Sequence, residues 1–291
     1  MTASAFGPAW SASLRRGSDT ELDAWLSFAL EAADLADAIG LRHFRHDLEI
    51  SAKPDRSFVT QADQAIEREI RARIADRWPS HGVVGEEYGT SDGDAAIRWY
   101  LDPIDGTHNF MRGVPLFGLL LAVERDGELQ MGVVSAPALG MRWWARRGGG
   151  AWASRAIGPE AGRPTRISVS DVGDVADAHL VYGAASEIVR SGRAPGFDAL
   201  IADVWRDRGF GDFWGYTLVA EAAADAMVEA DAMPWDLAAP VIVVEEAGGR
   251  MTDFDGRRSI HNRTALASNG RLHAELLRRL ALRGEATLRD R

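Results

Sequence analysis

Cysteine is absent from the 291-residue chain, which excludes disulfides, zinc–thiolate centres and thiol catalysis. Lysine is nearly absent as well: of 33 basic residues only Lys53 is not an arginine. No apolar run approaches the ~20 residues of a membrane-spanning helix. The N-terminal stretch MTASAFGPAWSASLRRG has no charged start followed by an apolar segment, so no signal peptide is expected and a reducing cytoplasm fits. Positive charge is in deficit, with 43 acidic residues and a net charge of −10, the reverse of the basic footprint that nucleic-acid binding requires. The G-x-x-x-x-G-K-[ST] loop, the G-x-S-x-G elbow and the H-E-x-x-H helix are all missing, so P-loop, serine-hydrolase and zincin chemistry have no carrier. The expected partner is a small molecule, with neither nucleic acid nor membrane.

What is present is an ordinary globular composition, 46% hydrophobic and 26% charged. Leu22, Leu26, Ala29, Leu30, Ala33 and Ala36 recur at helical spacing, which predicts a helix over Thr20–His46 capped by Ser18 or Asp19. A polar loop, Ser51–Ser57, contains Lys53 and reads as a mobile lid. A second helix is expected from Ala62 to Trp78, ended by Pro79. GVVGEEYG reads as a short strand delivering Glu86 and Glu87 to its end. IRWYLDPID reads as a strand stopped at Pro103, since proline cannot donate to a ladder. Asp126-Gly127 between two apolar runs signals a hairpin. MRWWARRGGGAWA reads as another, with Trp143 and Trp144 as core or dimer contacts. Beyond Ala156 strands and helices alternate, with helices expected at 197–205, 216–225, 235–247 and 271–282. The pattern predicts an α+β half, 1–155, and an α/β half, 156–291, packed as layers with helices covering sheets.

The informative stretch is LDPIDGTHNF, Leu101–Phe110. Asp102 and Asp105 are close enough for each to raise the pKa of the other, unless a cation lies between them. Asp63 at a helix start, Glu86 at a strand end and Asp236 at a helix start complete five carboxylates from four segments. Oxygen donors without histidine or cysteine suit Mg²⁺ or Mn²⁺ rather than zinc. A helix beginning near Thr107 would add amide donors and a dipole beside the metals, which is an arrangement for phosphate. The Thr107 hydroxyl would then be placed to orient a water.

GEE at Gly85–Glu87, DPIDGTHNF at Asp102–Phe110 and WDLAAPVIVVEEAGG at Trp235–Gly249 resemble, in order, the three signatures of the inositol monophosphatase superfamily. VTQAD at Val59–Asp63 resembles a fourth segment. The resemblance implies a layered αβαβα sandwich of the sugar-phosphatase type, a homodimer, and Mg²⁺-dependent phosphate-monoester hydrolysis by in-line attack of an activated water. It implies two or three Mg²⁺ per site, with Mn²⁺ able to substitute. One metal would be held by Glu86, Asp102 and the Ile104 carbonyl, and a second by Asp102, Asp105 and Asp236. A third, looser metal would lean on Glu86. Thr107, supported by Asp63, would activate the water with help from Glu86, while the Gly106 and Thr107 amides bind phosphate. Two features depart from the pattern: His108, read as an outward-facing helix residue, and Pro240, which removes a hydrogen bond from the helix presenting Asp236. Phosphate-monoester hydrolysis is among the slowest uncatalysed reactions, and two cations about 4 Å apart stabilise both the attacking and the leaving oxygen.

For the substrate, the resemblance places Glu229 near the leaving group and Asp212 near the alcohol; aspartate is also a common helix cap, so Asp212 has a second reading. Two acids facing a leaving group suit a cation, because a buried carboxylate requires a charged partner. SAPALGMRWWA and RGFGDFWGYTLVAEAAAD resemble the histidinol-phosphate phosphatase branch, which implies histidinol phosphate as substrate and a place in histidine biosynthesis. An inositol 1-phosphate or other sugar-phosphate phosphatase is the alternative, and a non-catalytic regulatory protein of the same fold is a more distant one.

Overall fold

The computed structural model describes residues 20–46, 48–52, 58–91 and 94–281. Helix α1 (Thr20–His43) buries the stripe read from the sequence, from Leu22 to Ala36. Strands β1 (Ile50–Ala52) and β2 (Phe58–Thr60) pair antiparallel ahead of α2 (Gln61–Arg77). Ser51 and Ala52, expected in a loop, are therefore strand, while Lys53 and the rest of the expected lid lie outside the described residues, as do Ser18 and Asp19. Thr60 caps α2 by accepting the Ala62 amide, and Asp63 reaches back to the Thr60 amide at 2.8 Å. This reciprocal cap fixes the Asp63 side chain at the start of its helix.

Eight strands form the first sheet: β3 (His81–Gly85), β4 (Gly89–Ser91), β5 (Asp94–Asp105), β6 (Gly118–Arg125), β7 (Glu128–Ala136), β8 (Met141–Arg146), β9 (Gly150–Arg155) and β10 (Thr165–Ile167). Their order is β10-β9-β8-β7-β6-β5-β3-β4, with the one-turn helix α3 (Thr107–Met111) following β5. Asp126 and Gly127 both have positive φ, the conformation a tight hairpin turn needs between β6 and β7. Strand β5 does not stop at Pro103. Pairing with β6 runs from Asp102 opposite Leu120 to Asp105 opposite Gly118, so β5 carries one extra residue there. In that bulge the missing proline N–H costs no ladder bond, and the irregularity brings Asp102 and Asp105 to the strand end together.

The second sheet contains β11 (His179–Tyr182), β12 (Arg206–Arg208), β13 (Ala226–Ala230), β14 (Arg250–Thr252) and β15 (Thr264–Ser268), in the order β12-β11-β13-β15-β14. Its helices are α4 (Ala185–Arg190), α5 (Ala194–Asp203), α6 (Asp212–Ala220), α7 (Pro234–Glu246) and α8 (His273–Leu280). Helices expected at 197, 216, 235 and 271 thus start at 194, 212, 234 and 273. Strand β10 belongs to the first sheet although it lies past Ala156, where the sequence pattern changes.

Five layers result. Helices α1 and α2 cover one face of the eight-stranded sheet, α6 and α7 fill the space between the sheets, and α4, α5 and α8 cover the outer face of the five-stranded sheet. Alternation along β6 serves two cores: Leu119, Leu121 and Val123 meet the first helix pair, while Leu120 and Ala122 meet α7. Trp143 and Trp144 point into opposite cores for the same reason and are both buried. A helix sandwiched between sheets is apolar nearly all round, as the run from Leu237 to Val244 is. Gly132 permits its approach, since a Cβ there would lie 2.4 Å from Ile242 Cγ2 and 2.8 Å from the Ala239 carbonyl oxygen. Helix α7 runs on through Pro240, and its first turn carries Asp236.

Candidate active site

The bulged end of β5, the start of α7 and the start of α6 converge. Asp102, Asp105 and Asp236 each offer a carboxylate oxygen, all within 4.8 Å of one another. The local backbone sets each one. Asp102 accepts the Ile104 amide at 3.0 Å, which tightens the D-P-I turn, and Asp236 reaches back to the Met233 amide at 2.7 Å. Asp105 accepts the Phe213 amide at 2.6 Å and so caps α6. Asp212 was open to a capping role from the sequence, but Gly211 holds the cap position and Asp212 is the first residue of α6. Its backbone is left-handed at φ +48° and its carboxylate accepts from Asn109 Nδ2 at 3.1 Å. Asparagine and aspartate tolerate that conformation best among residues with a Cβ.

The electrostatics show what this cluster lacks. Burial, followed by the charges of Glu86, Asp105 and Asp236, holds the Asp102 carboxyl well above the usual range. Burial and the charges of Asp212 and Asp236 do the same to Asp105. Burial, opposed by the Met233 amide and reinforced by Glu86 and Asp212, brings Asp236 to about 7. Among the described residues, no arginine is among the charges acting most strongly on these three. Acids that are buried or half-buried and gathered together, with oxygen donors only, suit a hard divalent cation. Glu86 stands outside the triad, in the turn after β3, yet it is near enough for its charge to raise Asp63, Asp102 and Asp236.

Thr107 opens α3 and its hydroxyl faces two acceptors, the Ile104 carbonyl at 3.0 Å and Asp63 Oδ1 at 3.5 Å. Burial raises Asp63 to about 6. Gly106 takes φ +81°, and a Cβ there would come within 2.8 Å of the Leu116 carbonyl oxygen, so the turn requires glycine. His108 is exposed, as expected, with its ring edge-on to Phe58. Burial raises the Asp212 carboxyl above its usual range, and His108 opposes that rise without cancelling it.

Beside the triad lies a cavity of about 140 Å³ lined by Asp105, Asp212, Asp236, Glu187, Glu229 and Asp231, with Phe213 and Tyr216. Among the described residues no lysine or arginine lines it. Glu229 is buried, accepts the Tyr216 hydroxyl at 2.5 Å, and is raised to about 8 by burial and by Asp212. Glu187 and Tyr216 were not found from the sequence. Glu187 sits on α4, a six-residue helix without a readable period. Tyr216 read only as an apolar helix position.

Five layers with acids gathered at the end of β5 and the starts of α6 and α7, taken with the similarities below, make this chain a phosphoric monoester hydrolase. Similarity narrows the class: the chain belongs to the inositol monophosphatase family, whose family model matches residues 21–284. The histidinol-phosphatase of Mycobacterium tuberculosis is 47% identical over 256 residues, covering 88% of this chain and 97% of that protein. The histidinol-phosphatase of Streptomyces coelicolor is 44% identical, covering 87% and 95%. Among solved structures, the extragenic suppressor protein suhB of Bartonella henselae superposes with a TM-score of 0.79 at 27% identity, covering 89% of this chain and 98% of that one. No helix among the described residues is long and apolar enough to cross a membrane.

The raised carboxyls make the metal-free protein sensitive to pH. A folded-state pKa above the unfolded value means that stability is complete below the unfolded pKa and is lost as pH rises through the folded one. His273, lowered by burial to about 4, acts in the opposite sense below about 6.5. The clear window is therefore pH 6.5 to 8, where Asp236 at about 7 and Glu229 at about 8 lose protons. The melting temperature in EDTA is expected to fall across that window, and added Mg²⁺ is expected to remove most of the fall. A flat or rising melting temperature in EDTA would contradict the charge picture.

Proposed function

We propose that this chain hydrolyses histidinol phosphate, using divalent cations, Mg²⁺ or Mn²⁺, held by Asp102, Asp105 and Asp236 and by Glu86 with Asp102 and the Ile104 carbonyl. The observation that carries the choice of substrate is the acidic cavity adjoining the triad. Histidinol carries an amine and an imidazole, and a cavity walled by Asp212, Glu229 and Glu187 matches a cationic alcohol better than a neutral polyol. The high identity to proteins named histidinol-phosphatases supports the same substrate.

Bound cations supply the positive charge that a transferring phosphoryl group requires. The chain's own residues do the rest. The amides at Gly106 and Thr107 hold the phosphate oxygens, since the first amides of a helix have no acceptor within it. The Thr107 hydroxyl can donate to only one acceptor at a time. With its proton on Asp63, its oxygen lone pairs are available to accept from the attacking water and orient it, and Asp63 is held ready by the Thr60 amide and hydroxyl. Asp212, steadied by Asn109, and Glu229, steadied by Tyr216, receive the cationic end of the leaving alcohol.

The test is phosphate release from histidinol phosphate as Mg²⁺ is titrated into protein stripped with EDTA. Turnover should be nil without metal and should rise to saturation with it. Release independent of metal would remove the proposal.

A further inference from the structure

We propose that Glu67 is a positioning residue for the metal site, its buried carboxylate fixing the turn that presents Glu86. The inference rests on the reading of Glu86 as a ligand given above. Glu67 lies on α2 one helical turn after Asp63 and is fully buried. Its Oε2 accepts the Glu87 amide at 2.8 Å, and its Oε1 accepts the Tyr88 amide at 3.0 Å and Arg71 Nε at 2.7 Å. Arg71 also donates to the Gly89 carbonyl, so the guanidinium ties the carboxylate to the far end of the same turn. The Glu86 amide donates to the Leu101 carbonyl at 3.2 Å, next to Asp102. Three successive amides, at 86, 87 and 88, are thus anchored, one to β5 and two to Glu67.

A buried carboxylate is costly unless its oxygens are satisfied. Here two of the three satisfying donors are amides of the turn itself, and the third, Arg71, is tied to the end of the same turn, so the carboxylate sets the shape of the turn. Gly85 makes room for this: a Cβ there would lie 2.2 Å from Glu67 Oε1. Helix α2 therefore serves the site twice, through Asp63 toward Thr107 and through Glu67 toward Glu86, and its rigidity keeps the spacing between the two. Without the clamp the turn would have to be ordered each time metal binds, and groups that orient metal ligands typically govern affinity by about 10- to 100-fold.

Glu67→Gln tests this. Whichever way the amide is turned, its NH₂ faces either a backbone N–H or Arg71, donor against donor. Mn²⁺ binding to the full chain without substrate, followed by electron paramagnetic resonance, should weaken about 10- to 100-fold. The Glu87 and Tyr88 amides should exchange faster with deuterium, and kcat at saturating metal should stay near wild type. Unchanged Mn²⁺ affinity, or a kcat loss that excess metal does not repair, would overturn the proposal. Gly85→Ala pushes on the carboxylate from the other side and should weaken Mn²⁺ in the same way. It decides the matter if Glu67→Gln does not fold, and wild-type affinity there overturns the proposal too. Glu86→Gln separates the two levels. Wild-type Mn²⁺ affinity in that variant would end the ligand reading itself, whereas weak binding there with normal binding in Glu67→Gln would end only the clamp.

Discussion

Asp105→Asn is expected to abolish turnover while leaving the fold intact, and to stabilise the metal-free protein at neutral pH. Asparagine keeps the oxygen that accepts the Phe213 amide, so the start of α6 retains its cap. What it removes is one negative charge from a buried group whose neighbours, Asp102, Asp236 and Asp212, are all acidic. With cations bound, that charge is an anionic ligand, and its loss should exceed the roughly 100-fold that even an outer-shell metal partner costs. With cations absent, the charge is repulsive, and its loss should raise the melting temperature in EDTA. The gain follows the sign of the shift. It should be large at pH 7, where wild-type Asp105 is under pressure to ionise, and should vanish below about pH 3, where the carboxyl is protonated in the folded and the unfolded state alike. Near-wild-type turnover in excess Mg²⁺ would end the assignment of Asp105 as a ligand.

The second large effect concerns selectivity. Asp212→Asn and Glu229→Gln should each lower kcat/KM for histidinol phosphate far more than for a neutral aryl phosphate. A charge-assisted hydrogen bond is worth about 1.5–3 kcal/mol, which corresponds to a loss of roughly 10- to 150-fold for the cationic substrate. Both substitutions preserve what the fold uses. Asparagine is at ease at the left-handed backbone of position 212, and glutamine can still accept the Tyr216 hydroxyl. Because Gly211 holds the cap position of α6 and Asp105 holds the Phe213 amide, a general loss through an unravelled α6 is not expected. Equal losses on both substrates, measured at one Mg²⁺ concentration, would contradict the reading of these two residues as the receptor for a cation.

How much of this was legible in the sequence varies with the kind of signal. Long periods and strong turns were readable. The stripe on α1, the Asp-Gly hairpin and the apolar run of α7 all fell where patterning put them, because each is fixed by local chemistry. Pro103 misled for a physical reason: a proline argues against a strand only where its N–H is needed, and the bulge in β5 removes the need. Asp212 was ambiguous because capping and ligand-facing aspartates look alike until the partner amide is seen, and Asp105, more than a hundred residues away, turned out to hold it. Glu67 carried a readable hint, four residues after Asp63 on a helix face, but its partners lie across a turn that no period encodes. Glu187 carried none, since α4 is too short to show a face. That Asp102, Asp105 and Asp236 gather was legible because each stands at or near an element end, where a hydrophobic pattern stops.

The most direct test of the account compares kcat/KM for histidinol phosphate and inositol 1-phosphate on the same Mg²⁺-loaded protein, with fructose 1,6-bisphosphate and adenosine 3′,5′-bisphosphate beside them. Carboxylates that receive a cationic leaving group should favour histidinol phosphate by at least the roughly 10-fold that one charge-assisted bond provides, with no phosphate released from any ester in EDTA. Equal or better hydrolysis of inositol 1-phosphate would contradict the assignment of the acidic cavity.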